Sequence, residues 1–514
     1  MLFLLVSVNL NAHAQEAGQL SGTITDNSGA AIPSAIISVR NVGTNAIRST
    51  TANSSGGYTF TNLSPAVYEV AVPPVAGFGA YKANAEVTVG GKITLDIKLS
   101  VNSSNTTIEV SAESSAQVNT QSQELSQVIS QEQVSQLPSL TRNPYDFVQI
   151  SGNISSGDAG SNNQAQNAST RGVGFGLNGG RSTGTEILLD GVENISVFGD
   201  AVGIVVPIDS VQEFRVITSN FEPQYGRASG GVVNVATKSG VNQFHGSAYD
   251  FNRLSAYTAN TVYNAQSGIA KGKYTRNQFG GTLGGPIVKD KLFFFGDAEF
   301  IRVRSAANSV SLIPTTQFLA QAPANVSSFF STYGTNAPSS TNVVLNSQLG
   351  SNAYANLPAN FPVFQKIAFT TPTNAGGGIP QNTYNVVGRV DYNLGSSTQA
   401  FFRYVNYNEV DQSGGVFASP YKQYNVGGAN KAQAYLLSIA HEFSPKLTTI
   451  TKGSFSRFNT SNTYSTALQN VPTLFLSANA QIAGTNVQFP GFYDNNPANG
   501  GLPYGGPQNT IQVN

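Results

Sequence analysis

From residue 384 to residue 392 the chain changes character at every step. Tyr384, Val386, Gly388, Val390 and Tyr392 fall on one side of an extended strand, and Asn385, Val387, Arg389 and Asp391 on the other. Successive side chains of a strand point to opposite faces, so this pattern asks for one apolar surrounding and one wet one. In 276–287, Phe279, Leu283 and Ile287 share a face against Arg276, Gln278 and Thr282. In 292–304, Leu292, Phe294, Ala298 and Phe300 lie opposite Asp297 and Glu299. Further candidates span 243–254, 398–410, 432–443 and 446–458. A strand that crosses a membrane takes about ten such residues, with aromatic side chains at the two interfaces. A soluble sandwich with one wet face also alternates, but the repeated aromatic ends favour a barrel wall.

Composition agrees. Charged residues make up 11 % of the 514 positions, against about 25 % in an ordinary soluble domain. Gly (52), Phe (30) and Tyr (21) are plentiful, and Trp is absent. With 27 basic and 27 acidic residues there is no overall basic field, which argues against a nucleic-acid partner. The absence of Cys excludes disulfides, thiol catalysis and Cys-ligated zinc, and three His (His13, His245, His441) make a histidine-rich metal centre improbable. No cofactor is implied. Past the first dozen residues, no apolar stretch reaches the roughly 18 residues of a membrane helix. The start, MLFLLVSVNL followed by Ala12-His13-Ala14, has the length and A-x-A ending of a secretory signal peptide, although no basic residue precedes the apolar run. Residues 1–14 are assigned to it, and the destination lies across the inner membrane.

Residues 18–100 alternate in short runs at 19–25, 35–39, 57–60, 67–72, 85–89 and 93–97, separated by turns such as Asp26-Asn27-Ser28-Gly29 and Asn53-Ser54-Ser55-Gly56. This spacing predicts a small β-sandwich. GQLSGTITDNSGAAIPSAIISV and STTANSSGGYTFTNLSPAVYEVAV resemble the carboxypeptidase-regulatory-like domain, a transthyretin-like sandwich that is a regulatory module rather than a peptidase. The H-x-x-E match at His13–Glu16 straddles the signal cleavage site and is read as chance.

Residues 101–120 have linker composition around a β-prone strip, Thr106–Ala112. Leu125–Leu137 predicts a short helix ended by Pro138. Three pieces then follow in order: LLDGV at 188–192, VQEFRV at 211–216 and YGRASGGVVNVATKSG at 225–240. Together they resemble the plug domain of TonB-dependent receptors, here residues 121–240. With that plug downstream, Thr107, Ile108, Glu109, Val110 and Ser111 resemble a TonB box, a free strand that adds to a partner's sheet edge. Leu188, Leu189, Asp190, Gly191 and Val192 are read as a structural turn of the plug and not as a ligand site. Two other motifs fall here. Gly174–Gly179 fits G-x-G-x-x-G without the buried strand a dinucleotide site needs, and Gly180–Gly184 fits G-x-S-x-G, with Asp190 and His245 in hydrolase order, without the strand of a nucleophile elbow. Both are read as glycine turns.

The resulting fold class is mainly β: a transthyretin-like sandwich, an α+β plug, and about seven strands of an incomplete antiparallel transmembrane barrel in 241–514. Short periplasmic turns are expected near 391–396 and 443–447, with long extracellular loops at 305–380 and 411–430. Plugged transporters have about 22 strands, and the chain lacks their terminal aromatic strand, so it is expected to be a C-terminally truncated fragment. The combination resembles the Oar-like branch of TonB-dependent receptors. That resemblance implies a Gram-negative outer-membrane location with the sandwich in the periplasm. It also implies TonB and its inner-membrane energising complex as partners, contact with outer-membrane lipid, and an extracellular ligand that the sequence does not name. No catalytic residue is implied. The alternatives are an outer-membrane structural or adhesion protein that binds through the sandwich and loops without transport, and a serine hydrolase resting on GRSTG alone.

Overall fold

The computed structural model describes residues 17–513 apart from 76, 102–107, 111–122, 140, 157–174, 197–200, 223–224, 261, 267–270, 336, 445–446, 465, 473, 476–480, 483, 492 and 495–504. The assigned signal peptide, Thr107, Ser111 and Gly174 therefore lie outside the described residues.

The N-terminal unit is a two-sheet sandwich. Its strands are β1 (Gly18–Asp26), β2 (Ile36–Asn41), β3 (Ile47–Thr51), β4 (Gly57–Leu63), β5 (Ala66–Val72), β6 (Tyr81–Val87), β7 (Lys92–Thr94) and β8 (Ile97–Leu99). One sheet runs β4-β1-β7 with β8 also on β1, and the other runs β3-β2-β5-β6. The alternating residues Leu20, Ile24, Ile37, Val39, Phe60, Val70, Val72 and Ile97 fill the space between them. Asp26 and Asn53 shape two of the turns, each accepting backbone N–H groups two and four residues on, at 2.8–2.9 Å. The edge strand β3 escaped the pattern because four of its five side chains are at least partly exposed. A ninth strand, β9 (Ile108–Val110), extends the second sheet by pairing parallel to β6.

The plug is built on a mixed five-stranded sheet. Its elements are β10 (Leu125–Ile129), β11 (Ile154–Ser156), β12 (Phe175–Leu177), β13 (Thr185–Leu189), β14 (Val192–Glu193), β15 (Ile195–Ser196), β16 (Ala201–Val202), β17 (Val211–Ser219) and β18 (Gly231–Thr237), and the sheet order is β10-β17-β18-β13-β14. The expected helix over Leu125–Leu137 is corrected. Its first half is strand β10, paired with β17, and only Gln131–Gln136 is helical. Ser130 divides the two, because its side chain and that of Gln133 form a capping box that starts the helix there.

From residue 245 the chain forms one antiparallel wall. Its strands are β19 (His245–Leu254), β20 (Lys273–Val288), β21 (Leu292–Pro314), β22 (Val343–Leu345), β23 (Pro362–Pro372), β24 (Gln381–Asn393), β25 (Thr398–Asp411), β26 (Val426–Ser444) and β27 (Leu447–Tyr464). Short pairs β28 (Leu474–Phe475) with β31 (Tyr493–Asp494) and β29 (Gln481–Ile482) with β30 (Thr485–Asn486) precede β32 (Gly505–Val513). The order is β19-β20-β21-β24-β25-β26-β27-β32, and β19 and β32 are its two unjoined ends, so the barrel is not closed. Eight strands stand in this row rather than about seven. β32 was missed because its first half, Gly505-Gly506-Pro507-Gln508-Asn509, carries no apolar alternation.

The faces separate as the alternation requires. Phe279, Leu283, Ile287, Tyr384, Val386, Val390 and Tyr392 are exposed on the outside, while Arg276, Gln278, Asp297, Glu299, Asn385 and Val387 are buried on the inside. Two stretches expected to be loops are partly sheet. β21 runs on to Pro314 and its extension pairs with β23, and β26 begins at Val426. Both continue the wall beyond its apolar band. At the opposite end the turns are short, with β24 ending at Asn393 before β25 at Thr398, and β26 at Ser444 before β27 at Leu447.

Candidate functional site

The plug meets the wall at one turn. Asp190 and Gly191 join β13 to β14 as a two-residue hairpin, with Leu189 paired to Val192. Both take positive φ, 51° and 69°, the conformation that the tight hairpin turn demands and that Asp-Gly supplies. Leu188, Leu189 and Val192 are buried around it.

The Asp190 side chain is fully buried and its carboxylate is surrounded by donors. Thr237, on the neighbouring plug strand β18, gives its N–H at 2.8 Å and its hydroxyl at 2.9–3.0 Å. Arg403, which points inward from β25, donates to the carboxylate at 2.6 Å and to the Leu189 carbonyl at 3.0 Å. Arg389 on β24 stands 3.5 Å from the other oxygen and bonds Asp391 and Thr237 as well. Lys452 on β27 donates to the Asp190 carbonyl at 3.0 Å. Three wall strands are thus tied to one plug turn. Burial works to raise the Asp190 carboxyl, but the guanidiniums of Arg403 and Arg389 and the Thr237 N–H outweigh it and hold it below the ordinary aspartate range.

Around this turn, plug and wall share a single apolar core. Ile187, Leu189, Ile204, Val206, Phe214 and Val235 of the plug pack in one cluster with the wall's Val387, Val405, Tyr407, Ala432, Ala434 and Phe458. Asn194, just past the turn, clamps the next loop by bonding the Ile204 N–H and carbonyl and the Tyr145 hydroxyl at 2.8–3.1 Å. Beside it Gly203 lies so close to the Phe458 ring that an added Cβ would sit 2.6 Å from it. On the last strand, Gln512 exchanges hydrogen bonds with Glu193 at 3.0 and 3.2 Å.

The sandwich rests on both. Glu213 of the plug accepts the Val89 N–H, and Arg215 donates to the Val89 carbonyl at 2.9 Å while pairing with Glu124 at 2.7 Å. Burial raises the Glu213 carboxyl to about 7, against the opposing effect of the Val89 N–H. Lys92 pairs with Glu222, Arg48 with Glu442, and Asn45 donates to Asp290 at 3.0 Å. The last two acids belong to the short-turn end of the wall. A cavity of about 370 Å³ lies where the three units meet, with Asn41, Thr237, Arg389, Asp391 and Lys452 in its lining.

Of the strip Thr107–Ser111, the described residues Ile108, Glu109 and Val110 are β9, in register with Tyr81, Lys82 and Ala83 of β6. The strip thus joins the sandwich sheet and not the plug sheet that carries the Asp190 turn. The hydrolase arrangement is not assembled. The Asp190 carboxylate is held by Thr237 and the arginines, and His245, exposed on β19, turns its Nδ1 to the Gln243 carbonyl. Among the described residues no group of three or more His, Asp or Glu is placed to hold a metal ion. The residues that sequence reading missed are Arg403, Lys452 and Asn194. For the first two the available signal was a cation at an inward position of an alternating strand.

Residues 236–514 match the family model described as an outer membrane beta barrel domain. The chain belongs to the outer membrane β-barrel family. Residues 19–100 match the carboxypeptidase regulatory-like domain. A 140-residue stretch is 35 % identical to the TonB-dependent transporter Oar of Myxococcus xanthus, covering 26 % of this chain and 13 % of that protein. Among solved structures, the chain resembles the siderophore receptor PirA from Acinetobacter baumannii (TM-score 0.41, 14 % identity, 76 % of this chain and 44 % of that one). It also resembles the ferric enterobactin receptor PfeA from Pseudomonas aeruginosa (TM-score 0.43, 14 % identity, 76 % and 46 %). The chain thus spans less than half of either receptor. The match to Oar agrees with the TonB-dependent-receptor resemblance drawn from the plug pieces. As an outer-membrane β-barrel protein, the chain sits with its exposed aromatic and aliphatic band in lipid.

Proposed function

We propose that this chain takes part in TonB-driven uptake of a ligand across the outer membrane. The observation that carries the reading is the plug itself. A domain that shares its core with the inner wall and is latched to β24, β25 and β27 at Asp190 blocks passage until something moves it. The resemblance of Thr107–Ser111 to a TonB box supplies the handle, and TonB with its inner-membrane energising complex supplies the pull. Ile108–Val110 already serve as an added strand on β6, which is the mode by which a partner would take them up. Sandwich and TonB therefore compete for one strip. The ligand enters from the end where β21, β23 and the helix Ala324–Tyr333 build an ordered cap. No covalent step belongs to this reading.

The test is binding of the purified periplasmic domain of TonB to the full chain. Ile108→Pro removes a backbone donor from the strip and should weaken binding at least about tenfold. Equal affinity of the two proteins would remove TonB from the account and leave the adhesion reading, in which the cap and sandwich bind without transport.

A further inference from the structure

On the outer face of β25, β26 and β27 the register stacks three rungs. Tyr404, Tyr435 and Phe455 form the first, with ring centroids 4.9 and 6.2 Å apart. One step toward the long-loop end come Asn406, Gln433 and Arg457, and one step further Asn408, Lys431 and Asn459. On the other side of the aromatic rung, Phe402, Leu437 and Ile439 are exposed and apolar. An aromatic rung bordering an apolar band marks the membrane interface. The six polar residues therefore stand at headgroup level in the outer leaflet, where together they line a recess of about 400 Å³.

The chemistry of this recess is one-sided. Lys431 and Arg457 are exposed and are diagonal neighbours across β26 and β27, a spacing of roughly 7–8 Å between backbones. Among the described residues neither has an acidic partner, and the outward positions around them hold none: Val410, Ala429 and Ser461 lie beyond, Tyr384 and Val386 on one flank, Asn509 on the other. Three asparagines here stand in place of β-branched residues that would suit a strand better. All four amides are poor neighbours for acyl chains but carry N–H donors for an oxygen anion, Gln433 also donating to the Tyr404 hydroxyl at 3.2 Å. Arg in particular binds phosphate through two parallel N–H bonds.

We propose that Lys431 and Arg457, assisted by Asn406, Asn408, Gln433 and Asn459, bind the phosphate of an anionic lipid of the outer leaflet. The recess opens on the wall directly beside the acyl-chain band, which fits a lipid-borne phosphate better than a free one. The inference rests on the outer-membrane seating alone and stands or falls independently of uptake.

Native mass spectrometry of the full chain tests it, with diphosphorylated lipid A, its dephosphorylated form and inorganic phosphate as probes. The wild-type chain should retain the phosphorylated lipid, K431Q/R457Q should retain it about tenfold less, and K431R/R457K should retain it normally. Single variants K431Q and R457Q read the same loss if the double variant fails to fold. Equal retention by wild type and the Gln variants overturns the proposal. So does equal retention of the dephosphorylated lipid, or occupancy by inorganic phosphate with no preference for the lipid.

Discussion

Asp190 shows how one side chain can hold two bodies together. Its oxygens accept the Thr237 N–H and hydroxyl and one Arg403 N–H, and Arg403 has 1 % of its surface exposed. Removing the carboxylate leaves a buried guanidinium without its counter-charge, a change that costs about 3–5 kcal/mol in such pairs. Asp190→Ala should therefore destabilise the plug by that order, read as a lower denaturation midpoint, and adding Arg403→Met should recover much of the loss. A double variant no better than the single one would show that the pair does not carry the latch. Glu213 makes a different prediction. Its folded pKa, about 7, lies above its ordinary value of 4.5. Its stabilising contribution is then complete below about pH 4.5 and is lost as the pH rises through about 7, a change on the order of 3 kcal/mol at most. Proteolytic release of the sandwich should accelerate between about pH 5 and pH 8 in the wild type and stay level in Glu213→Gln. The Asp-Gly turn was readable from sequence because only a few residues accept that backbone. Its partners were not, since Arg403 and Lys452 lie 213 and 262 residues away, and nothing local to either announces a carbonyl or carboxylate waiting opposite.

Among the elements, the wall strands were legible where lipid and plug impose opposite demands on alternate residues. Tyr384–Tyr392 could be assigned face by face for that reason. β23 and β32 lie where those demands fade, one in the cap above the apolar band and one with glycine, proline and amides in its first half, so the pattern had nothing to register. The Ser130 capping box divided a run that read as one helix. β9 is the element with the clearest functional prediction. Because the chain contains no Cys, the double variant Lys82→Cys/Glu109→Cys, at paired positions of β6 and β9, introduces the only thiols. Oxidation should fix the strip on the sandwich and suppress binding of the TonB periplasmic domain at least about tenfold, with reduction restoring it. Undiminished binding by the oxidised form would show that the strip is not the segment TonB takes.

For the molecule as a whole, the order of three units was visible in the sequence because each carries its own alternation or turn signature. Their contacts were not, because they run through single residues such as Arg48 with Glu442 and Glu213 with Val89. The shared core has a consequence for how such a protein is made. Val387, Val405, Tyr407, Ala432 and Phe458 are wall residues turned toward the plug, on the face that an empty barrel would leave to water. A wall whose inner face is apolar at this level has no soluble lumen to present if it enters the membrane alone. Deleting residues 121–240 should therefore severely lower the yield of membrane-inserted, protease-resistant wall, and supplying the plug as a separate chain during refolding should restore part of it. The plug would then act first as the form on which the wall is laid and only afterwards as its stopper, which sets a sequence of events: cork before bottle.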